Sequence, residues 1–327
     1  MFLYILALIF GTILSVLILL KLYFYLDNGR CKDFDTDLTG KTILMTGGNN
    51  GIGREYVLDI AKRNATIIMG YRNLAKAEET KRLALERTGN DRIQIEQCDL
   101  SSMKSVQEFC SRILSKSIRI DCFVMFAAAT GQSADNEKTE DGFEYSFQCN
   151  YLAHFLMLQM LFPTLNEQAR VIVTSSSAHL IGRIDLDRIA RYRSDRHPFL
   201  RYADSKLALV MLAKELTDRL SSKTTQITAN SFNPGTVLTG SIESIASKPI
   251  RLFLTLIAFL YGKTLNDGAQ TLIYLTVSKD LIGISGKYFS DCSQAYHNRS
   301  VNNKKLRKQF WDLSLELINP YFDKISI

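Results

Sequence analysis

No Cys-x-x-Cys pair occurs in this chain, although it has six cysteines: Cys31, Cys98, Cys110, Cys122, Cys149 and Cys292. Zinc ribbons, zinc fingers and dithiol redox motifs are thereby excluded, and no metal site is expected. Most of these cysteines fall in segments that read as strands or helices, so reduced thiols are expected and no disulfide. Interleaved basic and aromatic residues are also lacking, which argues against nucleic acid as a partner. There is no internal repeat and no low-complexity segment. The net charge is a moderate +7, part of it in Lys304, Lys305, Arg307 and Lys308. That cluster reads as a solvated helix face.

Charge of either sign is missing from Phe2 to Leu20. Nineteen helical residues span roughly 28 Å, close to the hydrocarbon core of a bilayer. No positive residue precedes the run and no small-x-small cleavage site follows it, so a cleaved signal peptide is not the reading. Lys21, Arg30 and Lys32 come after it. A membrane anchor over 1–26 with the remainder in the cytosol is the expectation. Residues 27–40 then form a linker. Glycosylation at the sequons of Asn64 or Asn298 would contradict that topology.

Beyond the linker, strand-like and helix-like segments alternate. "KTILMT" (41–46), "ATIIMG" (65–70), "RIQIEQCDL" (92–100) and "DCFVMFAAAT" (121–130) read as strands. "REYVLDIAKRN" (54–64), the charged 73–90 segment and "SMKSVQEFCSRILSK" (102–116) read as helices. This order predicts an α/β fold, a doubly wound parallel sheet in one Rossmann-like domain over 41–320. A cofactor half over 41–150 and a catalytic and substrate half over 150–320 follow.

Three stretches carry chemistry. "TGGNNGIG" (46–53) sits between a strand and a helix, with Gly47, Gly51 and Gly53 spaced for a tight turn under a pyrophosphate. After the second strand no acid is available for a ribose 2′-hydroxyl. Arg72 stands there instead and Arg54 follows the glycines, so NADP is the expected dinucleotide. In "RYADSK", Tyr202 and Lys206 share a helix face, and an ammonium beside a phenol favours the phenolate. "VIVTSSSAH" (171–179) is a strand ending in hydroxyls, "FQCNYLAHF" (147–155) puts Asn150 inside a helix, and "NPGTVLT" (233–239) carries Pro234-Gly235 after another strand.

Together with "DGFEYSFQCNYLAHFLM", "SSSAHLIGRIDLDRI", "YADSKLALVMLAKEL", "DGAQTLIYL" and "SGKYFSDC", these stretches resemble the short-chain dehydrogenase/reductase family. Within it they look like the membrane-anchored, NADP-dependent retinol dehydrogenases. The resemblance implies Tyr202 as general acid/base and Lys206 as the residue that holds the nicotinamide ribose and lowers the phenol. It implies Ser176 on the substrate oxygen, and Asn150 holding a relay water. Cofactor contacts are implied at Gly47, Asn49, Asn50, Gly51, Ile52, Gly53, Arg54, Arg72, Asp99, Leu100, Ala127, Ala128, Tyr202, Lys206, Pro234, Gly235, Val237 and Thr239. The implied substrate is a lipophilic alcohol or carbonyl, retinoid-like, at the endoplasmic reticulum membrane. A steroid or other lipid carbonyl, or cofactor binding with little turnover, are the alternatives. An apolar segment at 250–262 is expected to form a lid that touches the bilayer. His154 and His179 read as structural, and His197 and His297 as loop residues.

One departure stands out. Where the family has Asn-Asn-Ala-Gly at the end of the fourth strand, this chain has Met125, Phe126, Ala127 and Ala128. Neither Met125 nor Phe126 can supply the amide hydrogen bonds of the usual residues. The alanines keep room for a close approach by the cofactor.

Overall fold

The computed structural model describes residues 11–12, 15–16, 19, 31, 35–129, 138–235 and 263–322. Most of the expected 1–26 anchor, half of the 27–40 linker, Val237, Thr239 and the 250–262 segment lie outside the described residues. Among the described residues, no helix is long and apolar enough to cross a membrane.

Among the described residues, seven parallel strands and one antiparallel edge strand form a single sheet. In chain order they are β1 (Thr42–Thr46), β2 (Thr66–Tyr71), β3 (Ile93–Gln97), β4 (Ile120–Met125), β5 (Leu165–Thr174), β6 (Thr228–Asn233), β7 (Tyr288–Ser290) and β8 (Ser293–Gln294). Their order in space is β3-β2-β1-β4-β5-β6-β7-β8. The direction of winding reverses between β1 and β4, where such sheets open a crevice at the carboxyl ends of their strands.

Among the described residues the longer α-helices are α1 (Gly51–Lys62), α2 (Leu74–Thr88), α3 (Met103–Ser115), α4 (Ala153–Leu161), α5 (Pro198–Leu220), α6 (Leu265–Val277) and α7 (Lys304–Ile318). They divide between the two faces, as the doubly wound expectation requires. Alternate strand side chains point to opposite faces. Ile43, Met45, Ile67, Met69 and Val124 thus pack with α1, α2 and α6. Leu44, Ile68, Phe123, Met125 and Val173 pack with α3, α4, α5 and α7. Cys98, Cys110, Cys122 and Cys149 are free and buried in these layers, and burial pushes the Cys98, Cys122 and Cys149 thiols up to about 12.

Three sequence readings are corrected. The fourth strand stops at Met125, so the alanines lie beyond it. The reason is that the next backbone N–H groups leave the sheet, those of Phe126 and Ala127 donating to Thr46 Oγ1. The fifth strand likewise ends at Thr174, before the three serines. The third correction concerns Arg307, which is not on a solvated face. It is 1% exposed, forms ion pairs with Glu215 (3.3 Å) and Asp218, and donates to the carbonyl of Val301. Lys304, Lys305 and Lys308 are the exposed members of that cluster.

Arg307, itself removed from water, ties α7 to α5 through Glu215 and the partly exposed Asp218. Replacing it with leucine leaves two carboxylates that Arg219 and Lys214 still reach. The expected loss is about 3 kcal/mol, the low end for breaking a buried pair, measured by urea unfolding of the purified protein.

Candidate active site

The strand register aligns the site. Thr46 pairs with Met125, Met125 with Val173 and Val173 with Ser231. The segments that leave β1, β4, β5 and β6 therefore emerge along one edge of the sheet. They are the glycine loop, Phe126–Ala129, Ser175–Ser176 and Pro234–Gly235.

In the glycine loop, Gly47 has φ +79°, and a Cβ there would lie 3.2 Å from the Ala127 Cα. A Cβ on Gly53 would lie 2.5 Å from the Gly48 Cα and 2.7 Å from the Phe126 ring. Both glycines are required by close approach of neighbouring chain. The loop delivers α1 with its N-terminus bare. Asn50, the N-cap, makes no side-chain cap bond and the first turn holds no acid. Helices α2, α3, α5, α6 and α7 all carry a side-chain cap. Unused N–H groups at the positive end of a helix, reached across a glycine surface, fit a pyrophosphate.

The flanking residues sort unevenly. Arg54 donates from Nε (3.2 Å) and Nη2 (2.8 Å) to the Asn49 carbonyl and lies 3.4 Å from Glu79, so it braces the loop. Arg72, just after β2, is exposed and donates from Nη1 to the Tyr145 hydroxyl at 3.4 Å. Asp99 accepts from Ser101 N–H (2.9 Å) and Oγ–H (2.7 Å), which turns the chain after β3. Leu100 is half-buried beside it, and its carbonyl accepts from Gln148. Ile52 packs partly into the core under the loop.

Asn150 explains the alanines. It lies in a π-turn, Gln148–Leu152, that precedes α4, and it is fully buried. Its Oδ1 accepts from Ala129 N–H at 2.6 Å, and its Nδ2 donates to Ala129 O and Ser205 Oγ, both at 2.9 Å. The amide thus replaces the sheet partner that the chain has left. Ser205 in turn donates to the Tyr202 carbonyl at 2.7 Å, which links this brace to α5.

Helix α5 begins at Pro198, with His197 Nδ1 accepting from Phe199 N–H as its cap. His197 is therefore a capping residue, more than the loop residue its sequence context gave. One turn in, Tyr202 is half-buried and Lys206 is 1% exposed. Lys206 Nζ lies 5.5 Å from the Tyr202 ring centre and donates to Thr174 O at 2.9 Å. Burial pulls Lys206 down to about 7. Burial also raises the Tyr202 phenol above its ordinary value, and a hydrogen bond with the Ser176 side chain opposes that rise. Ser176 is held as the N-cap of a 3-10 turn, its Oγ accepting from Ala178 N–H at 3.3 Å. Ser175 faces away, donating to Lys206 O at 2.9 Å. Gly235 (φ +85°) packs on the stem of Lys263, whose ammonium pairs with Asp291.

Asn150 is thus joined to the Tyr202 carbonyl through Ser205, Ser176 meets the Tyr202 phenol, and the Lys206 ammonium lies over the Tyr202 ring. Thr46, His154, Ser175 and Ser205 escaped the sequence reading as site residues, because nothing in their local pattern separates them from ordinary core hydroxyls and a core histidine. Gly53→Ala is expected to weaken dinucleotide binding at least about tenfold, since the added methyl must displace Gly48 or Phe126. Fluorescence titration against the parent protein checks this.

The sequence profile of the short chain dehydrogenase family matches residues 41–249. Retinol dehydrogenase 13 of Mus musculus is 33% identical, over 94% of this chain and 92% of that protein. Retinol dehydrogenase 12 of the same species is 34% identical, over 87% and 88%. A short chain dehydrogenase of Shigella flexneri, solved in complex with NADP, superposes with a TM-score of 0.59 at 25% identity, covering 79% of this chain and 100% of that one. With the glycine cradle, the bare helix end and the Tyr202–Lys206 pair on one edge of a doubly wound sheet, the chain belongs to the short chain dehydrogenase family and is an oxidoreductase similar to the retinol dehydrogenases.

Proposed function

We propose that the protein is an NADP(H)-dependent oxidoreductase that interconverts a lipophilic alcohol and its carbonyl, retinol and retinal before others. The observation that carries the reading is the buried Lys206 beneath Tyr202, with Ser176 on the phenol. The substrate class rests on the resemblance to retinol dehydrogenases. Arg72 supports NADP, since it is exposed after β2 where a carboxylate would repel a 2′-phosphate.

Residues 47–54 and the start of α1 would hold the pyrophosphate, Asp99 and Leu100 the adenine side, and Ala127–Ala128 the ribose. Pro234–Gly235 with Val237 and Thr239 would flank the nicotinamide, which when bound supplies or receives the hydride. Tyr202 gives the carbonyl oxygen a proton, or takes one from the alcohol. Ser176 orients that oxygen by a hydrogen bond. Bringing a phenol near pKa 10 to neutrality requires about 4 kcal/mol, and a charged Lys206 supplies part of it. Asn150 keeps lone pairs on its carbonyl and Oδ1 for a relay water. The apolar 2–20 segment would anchor the domain in the endoplasmic reticulum membrane, facing the cytosol, with 250–262 against the lipid.

The test is NADPH-dependent reduction of all-trans-retinal by membranes containing the full chain. Tyr202→Phe is expected to lower the rate by about 100-fold or more while NADPH still binds. Equal rates in the two proteins would defeat the assignment of Tyr202. A pH dependence follows as well. Free Lys206 loses its proton as pH rises through about 7, and an anionic dinucleotide favours the charged form, so its pKa is higher in the complex. Binding therefore takes up a proton between the two values. NADPH affinity should be flat below pH 7 and fall above it by up to about tenfold per unit. Lys206→Met should flatten the profile, as read by fluorescence titration.

A further inference from the structure

We infer that His154 is a positioning residue, which takes over the bracing of the 126–127 backbone that the side chains at 125 and 126 cannot provide. The inference rests on the reading of this backbone as the cofactor-side edge of the proposed oxidoreductase.

The bonds form a closed chain. Met125 is buried in the core and Phe126 lies against Gly53, so neither holds the backbone by a polar group. The N–H groups of Phe126 and Ala127 donate to Thr46 Oγ1 at 3.1 and 3.2 Å. Thr46 Oγ1 is 2.7 Å from His154 Nε2, and His154 Nδ1 is 2.8 Å from the Asn150 carbonyl. A carbonyl only accepts, so Nδ1 carries the imidazole proton. Nε2 of the neutral ring is then an acceptor, and it takes the Thr46 hydroxyl proton. Thr46 in turn uses its lone pairs for the two N–H groups. Every donor in the chain has an acceptor, and only this tautomer achieves it. Thr46 and His154 are each 1% exposed, so bulk water does not stand in for the bond between them. Burial also holds the ring neutral, with its pKa lowered to about 4.

One end of the chain, the 126–127 backbone, packs against the glycine loop, where a Cβ on Gly47 would lie 3.2 Å from Ala127 and one on Gly53 2.7 Å from the Phe126 ring. The Asn150 side chain meanwhile grips Ala129. A shift in 126–127 is therefore transmitted to the glycine cradle. His154 never meets a reacting atom in this scheme.

His154→Phe keeps a ring of similar shape and removes both bonds. In the full chain it should raise the NADPH Kd about tenfold, while kcat at saturating NADPH changes by less than about threefold. His154→Gln, whose amide can serve one of the two partners, should recover part of the loss. Leu158→Ala, a core truncation in the same helix, should lower stability and leave the Kd unchanged. Nitrogen-15 NMR of histidine-labelled wild type at neutral pH should show a protonated Nδ1 and a bare Nε2 for His154, assigned by its absence from His154→Gln. An unchanged Kd in His154→Phe, or the opposite tautomer, would overturn the inference. Failure of the wild type to bind NADPH would instead sink the proposed function, and the NMR result would still decide the hydrogen-bond chain.

Discussion

An amide buried in the middle of a helix must find partners, because the helix backbone has used its own. Asn150 finds them on the neighbouring chain. Its side chain pairs with both the N–H and the C=O of Ala129, two groups stranded when the fourth strand leaves the sheet. Its remaining donor reaches Ser205, which holds the carbonyl of Tyr202. The cofactor edge and the Tyr202 helix therefore share one buried residue. The π-turn at 148–152 is the local distortion that accompanies this placement. Such turns interrupt the regular carbonyl ladder, and here the Asn150 carbonyl accepts from His154.

Much of the fold was legible in the sequence. Buried parallel strands are near-continuous apolar runs, and the helices between them carry one apolar face. "KTILMT" and "ATIIMG" could be placed to within a residue for that reason. Strand ends were less legible. "DCFVMFAAAT" stays apolar past Met125, and nothing in an alanine run signals that its backbone has turned to a side-chain partner. Arg307 failed for a related reason. It sits among lysines in a polar stretch, and its partners Glu215 and Asp218 are about ninety residues away, on a helix whose packing no local pattern gives.

The site divides along the same line. Residues identified by a local spacing, Gly47 to Gly53 and Tyr202 with Lys206, stand on the sheet edge where that spacing put them. Residues that act through tertiary hydrogen bonds, Thr46, His154, Ser175 and Ser205, had no spacing to betray them. The two arginines behind the NADP reading also separate. Arg54 is committed to the Asn49 carbonyl, whereas Arg72 is the more open to solvent. Burial moves both groups against the roles proposed for them, Tyr202 upward and Lys206 downward. A dinucleotide with its phosphates and ribose is the natural counterweight, which makes cofactor binding and proton transfer one electrostatic problem.

The central claim is that this edge of the sheet places a nicotinamide against a carbonyl with Tyr202 as the proton source. Retinal reduction with NADPH deuterated at C4 of the nicotinamide, on each face separately, tests it most directly. The expected result is retinol heavier by one deuterium from one face and unlabelled from the other, with both products formed about 100-fold or more slowly by Tyr202→Phe. Unlabelled retinol from both faces, or labelled retinol undiminished in Tyr202→Phe, would contradict it.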